Sequence, residues 1–132
     1  MVDVLIPLTG EQIISALVWA YANSQDGTID FYTDQSVAAG GTFDSIAIPM
    51  VAYHSGYITV VNTGNSSNLA IEILKSNSSD GAVKTPMLSY ALNNTTLPSA
   101  GDPVAVLPNY IFLKVYNYDT SNSTTFSLSL TL

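Results

Sequence analysis

Apolar and polar positions alternate most plainly in the last eight residues. There Phe126, Leu128, Leu130 and Leu132 share one parity, and Thr125, Ser127, Ser129 and Thr131 share the other. A period of two puts the two sets on opposite faces of a strand, one dry and one wet. The pattern recurs upstream. Residues 28–33 (TIDFYT) set Ile29 and Phe31 against Asp30 and Tyr32, and Phe43, Ile46 and Ile48 precede Pro49, which suits a strand that ends or runs along a sheet edge. Residues 56–62 (GYITVVN) and 69–74 (LAIEIL) are rich in β-branched side chains, and the Gly-, Asn- and Ser-rich linker 63–68 between them predicts a hairpin. A weaker strand at 83–92, interrupted by Pro86, lies between polar loops at 75–81 and 93–103. Strands at 104–107 and 110–118 (YIFLKVYNY) follow, the latter expected to pair with 125–132 as a C-terminal hairpin.

The first 25 residues admit two readings. Residues 2–8 are a strand candidate, and Thr9 with Gln12 resembles a capping box ahead of 13–22. A helix over 13–22 would be apolar around nearly its whole circumference, whereas a strand with two apolar faces suits the centre of a packed sandwich. The strand is preferred, entering 28–33 through a turn at 23–27 (NSQDG). About eight short strands at intervals of ~8–12 residues predict an all-β chain, an antiparallel β-sandwich of jelly-roll-like form. Residues 1–132 are expected to form a single domain.

Charge changes the picture more than length does. Three Lys and ten Asp or Glu are the only charged side chains besides one His, for a net charge of −7. A small soluble monomer keeps ~25–35% of its surface charged, so this exterior is either covered by hydroxyls, amides and tyrosines or buried against partners. Lys75, Lys84 and Lys114 are scattered and supply no cationic track for phosphates, which argues against nucleic-acid binding. The absence of cysteine excludes disulfides, thiolate nucleophiles and Cys-ligated metals. No basic n-region marks a secretory signal, and the longest apolar run falls short of the ~20 residues of a spanning helix, so membrane insertion is not expected.

Candidate chemistry is sparse. His54 is the only histidine, in AYHSG, without a nucleophile motif or a carboxylate pair near it in sequence, and reads as a loop residue. Asp26, Asp30 and Asp34 recur every four residues without the D-x-D-x-D-G pattern of a calcium loop, so Asp26 and Asp34 are expected in flanking turns and Asp30 on the wet face. Gly40-Gly41 lacks the lysine and the strand-to-helix setting of a phosphate cradle. No catalytic residue, metal or cofactor is expected, and the chain reads as a non-enzyme. Eight tyrosines and Trp19 remain, with Tyr110, Tyr116 and Tyr118 on or near one strand and Tyr116 and Tyr118 on one face. They suit an interface first and a sugar-stacking platform second. N-x-S/T sequons begin at Asn65, Asn77, Asn93, Asn94 and Asn122, all in expected loops and all possible glycosylation sites.

A sandwich of about eight strands with sparse charge, no cysteine and no catalytic constellation resembles the single jelly-roll capsid proteins, especially those of icosahedral viruses infecting hot-acid archaea. Residues 110–132 (YIFLKVYNYDTSNSTTFSLSLTL) are also similar to the closing hairpin of the pre-peptidase C-terminal domain and related extracellular sandwiches. The first resemblance implies an acid-stable viral capsid subunit, located in the virion, that self-assembles through neutral, tyrosine-rich interfaces with copies of itself and other coat proteins. The alternative is an extracellular or cell-surface module: a glycan-binding adhesin using Tyr and Trp, or a pilus-type subunit donating residues 2–8 as a strand.

Overall fold

A computed structural model describes residues 27–132, and within them every regular element is a strand. The order is β1 (Thr28–Val37), β2 (Thr42–Asp44), β3 (Ile48–Pro49), β4 (Gly56–Asn62), β5 (Leu69–Ser76), β6 (Thr85–Leu92), β7 (Ser99–Val104), β8 (Tyr110–Asn117) and β9 (Thr124–Thr131). One sheet runs β1-β9-β4-β7 and the other β2-β8-β5-β6, with β3 pairing β8 along the same edge as β2. All these pairings are antiparallel. The chain changes sheet at each connection except β2–β3 and β5–β6, so the two sheets interlock as a jelly roll, the expected fold class.

The alternation fixes which faces meet. Ile58 and Val60 of β4 and Phe126, Leu128 and Leu130 of β9 face Leu69, Ile71 and Ile73 of β5 and Ile111, Leu113 and Val115 of β8, each no more than 1% exposed. Every one of these side chains contributes on the order of 1.5–3 kcal/mol by leaving water. At the β1/β2 side Phe126 is closed off by Tyr32 and Phe43, with ring centroids 5.4–5.8 Å apart.

Three sequence expectations are corrected. Residues 56–62 and 69–74 are not a hairpin, because β4 and β5 lie in opposite sheets, and β8 and β9 are likewise separated. Each of those four strands has one dry face, and the lowest-energy use of two consecutive dry faces is to oppose them across the core. A six-residue polar linker serves that crossing as well as it serves a hairpin. The hairpin that does form between neighbours is β5–β6, where Pro86 sits on an edge strand and a register shift follows Ile73. β7 falls at Ser99–Val104, within the stretch expected to be loop, and residues 105–107 lie beyond it. As an edge strand it is hydrogen-bonded on one side only and tolerates Gly101, Asp102 and Pro103.

Asp34 is also not in a turn. It lies inside β1 with φ 50°, at one of the strand's irregularities, and its N–H donates to Ser127 Oγ at 3.1 Å. The expectations for residues 2–8, the Thr9/Gln12 capping box, 13–22, Trp19 and Asp26 fall outside the described residues.

Candidate functional site

The two ends of the sandwich are chemically opposite. At the end holding loops 38–41, 63–68, 93–98 and 118–123, the core-facing registers change from aliphatic to polar. Ile58 and Val60 are followed by Asn62, Leu113 and Val115 by Asn117, and Leu128 and Phe126 are preceded by Thr124, all three polar side chains buried. They satisfy one another. Thr124 Oγ1 donates to Asn62 Oδ1 at 2.7 Å, Asn62 Nδ2 to the Ser66 carbonyl at 2.8 Å, and Ser66 Oγ to Asn117 Oδ1 at 2.6 Å. Asn117 Nδ2 then reaches the carbonyls of Ala38 and Asn122, so one amide holds two loops.

Asp119 completes this end. Its carboxylate accepts five hydrogen bonds, from the N–H and hydroxyl of Ser67, the N–H groups of Ser121 and Asn122, and the Asn122 side-chain amide. The Asn122 amide first, then the Ser67 and Ser121 N–H groups, hold this acid well below the usual carboxylate range. Among the described residues no buried side-chain nitrogen or oxygen lacks a partner.

Among the described residues, the opposite end lacks such a network and exposes aliphatic side chains beside the polar residues 77–80. Three loops described there each project an exposed valine: Val51 between β3 and β4, Val83 between β5 and β6, and Val106 between β7 and β8, at 60%, 75% and 72% exposure. Loops 50–55 and 105–109 are joined by Met50 N–H to the Asn109 carbonyl and Leu107 N–H to the His54 carbonyl. Beside them the sheets part. The Tyr90 hydroxyl donates to Asp102 Oδ2 at 2.7 Å and ties edge strand β6 to edge strand β7. Burial first, and then this bond to a carboxylate, push the Tyr90 phenol far up. Past the tie, the prolines of both edges and the register shift in β5–β6 leave a cleft of about 940 Å³, with Met87, Val104 and Leu107 inside and Val83 and Val106 at its rim.

Residues singled out from sequence are dispersed. His54 is exposed in the β3–β4 loop, and among the described residues no group of three His, Asp or Glu side chains converges as a metal site would require. Tyr116 on the outer face of β8 and Tyr118, one residue past its end, stack on each other, centroids 5.8 Å apart and 11° between planes. Lys114 lies 5.6 Å from the Tyr116 ring centre on the same strand. Its amine is raised, by the Tyr116 side chain first and then by Asp44, which pairs with it across β2–β8. Lys114, Tyr116 and Tyr118 together form a column of one cation and two rings.

Among the sequons, Asn65, Asn77 and Asn122 are exposed and Asn93 and Asn94 half-buried. The side-chain amide of Asn93 donates to the Ser67 carbonyl and that of Asn122 to Asp119. Sequence reading missed Asn62, Asn117 and Thr124 as a set. Their signal was parity: each continues a core-facing register. The cleft had no such signal, because its walls come from β5, β6, β7 and the loops after them.

No family model and no curated protein sequence matches this chain. Its fold is shared. It is similar to a Yersinia pseudotuberculosis-derived mitogen, with TM-score 0.52 and 10% identity over 80% of this chain and 85% of the mitogen. It is similar as well to PBSX exported protein XepA, with TM-score 0.57 and 12% identity over 98% of this chain and 40% of XepA. A third structure, PirA, aligns at TM-score 0.48 and 14% identity over 80% of this chain and 93% of PirA. The first two likenesses establish the sandwich fold. The chain spans less than half the length of XepA.

Proposed function

We propose that this chain is a non-catalytic structural subunit that associates with copies of itself, the end bearing Val51, Val83 and Val106 serving as contact surface. The observation that carries the reading is the gathering of three highly exposed valines from three separate loops at one end. Scattered surface aliphatics need no explanation, but three placed on separate loops at one end of the sandwich suit a contact surface. The scarcity of charge supports it, since few charged side chains are available to keep such a surface apart from another like it. A capsid subunit in a virion is the specific form of this reading. The extracellular glycan-binding alternative is less favoured, because the stacking of Tyr116 on Tyr118 uses two of the ring faces a sugar would need.

Analytical ultracentrifugation of the full chain, with Val51→Glu beside it, tests the reading. The native chain should sediment as an oligomer or shell, and the variant, equally folded by circular dichroism, should shift at least tenfold in concentration toward monomer, about 1.4 kcal/mol. A native chain that stays monomeric at millimolar concentration would end the proposal.

A further inference from the structure

Lys75 occupies an unusual register. It keeps the parity of Leu69, Ile71 and Ile73 and lies opposite the buried Ile111, but it is exposed where they are buried, so the end of β5 brings an ammonium to the cleft. The other cation of this region is committed elsewhere. Lys84 rests over the Phe112 ring on the outer face of the sheet, 4.4 Å from its centre. The nearby carboxylate, Asp80, is occupied by the Ser78 hydroxyl and the Ala82 N–H. The cleft therefore combines an apolar wall of Met87, Val104 and Leu107 with neutral polar residues on the β5 side, Ser76, Asn77 and Ser78, and one lysine, on a protein of net charge −7. Its volume of about 940 Å³ lies within the ~300–1,000 Å³ typical of small-ligand sites, which are mostly apolar with a few polar groups that fix orientation.

We infer that this cleft binds a single-chain amphiphile with a carboxylate head, a fatty acid, its hydrocarbon chain between the parted sheets against Met87, Val104 and Leu107 and its carboxylate on Lys75. The head-to-tail polarity follows from the site: one cation at the end of β5, an apolar wall beside it. A charge-assisted N–H···O bond to the head selects an anion over a neutral group of the same size. The cleft shares its rim valines, Val83 and Val106, with the proposed contact surface, whereas Lys75 belongs to the cleft alone and Val51 to the contact surface alone, so these two side chains tell the readings apart.

The test is a titration of the full-length protein with sodium dodecanoate below its micelle concentration, followed by amide NMR shifts and calorimetry. Dodecyl maltoside serves as the neutral-headed control, and Lys75→Met keeps most of the side-chain stem while removing the charge. Saturable shifts should centre on Val83, Met87, Val104 and Val106. Lys75→Met should weaken dodecanoate roughly tenfold, the worth of one charge-assisted bond, while leaving the maltoside unchanged. Absence of saturable shifts, shifts centred on the loops around Asp119, or equal dodecanoate affinity in Lys75→Met would each overturn the inference. Sedimentation of the same samples separates the two proposals. Val51→Glu should lose assembly and keep dodecanoate binding, and Lys75→Met should do the reverse.

Discussion

Asn62, Asn117 and Thr124 show how much one buried polar side chain can hold. Each stands where an aliphatic residue would continue the core, and each is tolerable there because its partners are also buried and already satisfied. Asn117→Ala should cost roughly 1–3 kcal/mol, since it leaves Ser66 Oγ and two loop carbonyls without their partner. Urea denaturation monitored by circular dichroism measures this. Asp119 adds a pH dependence whose sign follows from its depressed acidity. A carboxylate with a folded value below its unfolded value near ~4 contributes fully above that range and loses its contribution as pH falls toward the folded value. The melting temperature should therefore decline from about pH 4 downward. Asp119→Asn should melt lower at pH 7 and show a shallower decline. Equal acid slopes in the two proteins would exclude Asp119 as the source.

At the scale of elements, the strands were far more legible than their partners. β9 and β4 announce themselves because a two-residue period is written in Leu, Phe, Ile and Val against Thr and Ser, a purely local signal. Whether β4 turns back on β5 or crosses to the other sheet is decided by how dry faces meet across the core, and residues 63–68 carry no trace of that choice. β7 was hidden because Gly101, Asp102 and Pro103 read as loop, and only its backbone pairing with β4 makes it a strand. That pairing is close: a Cβ on Gly101 would lie 2.5 Å from the Ile58 carbonyl oxygen and against the Tyr57 ring. Gly101→Ala should loosen β7, so that its amides exchange hydrogen faster than those of β9. Leu128→Ala, in the centre of β9, should cost about 2–5 kcal/mol by leaving a cavity between the sheets.

For the molecule as a whole, the opposition of its ends gives it a direction: one end closed by hydrogen bonds, the other cleft and bearing exposed valines. If the end bearing the valines is the contact surface, acid should favour association, because the net charge of −7 that sets copies apart is reduced. Light scattering from pH 7 to 2 should then rise even as the melting temperature declines. The strand order has one more consequence, for the timing of folding. Among the described residues β1 is hydrogen-bonded only to β9, Thr28 opposite Thr131, so the first described strand pairs with the last. Such distant pairings are slow to close, on the order of milliseconds to seconds for comparable all-β domains. A chain emerging from the ribosome cannot complete that sheet until residues 124–131 are out, and until then β4 lacks the strand that hydrogen-bonds along one of its edges. In the meantime the chain is a sticky half-sandwich, and the rate at which β9 appears becomes part of how well it folds.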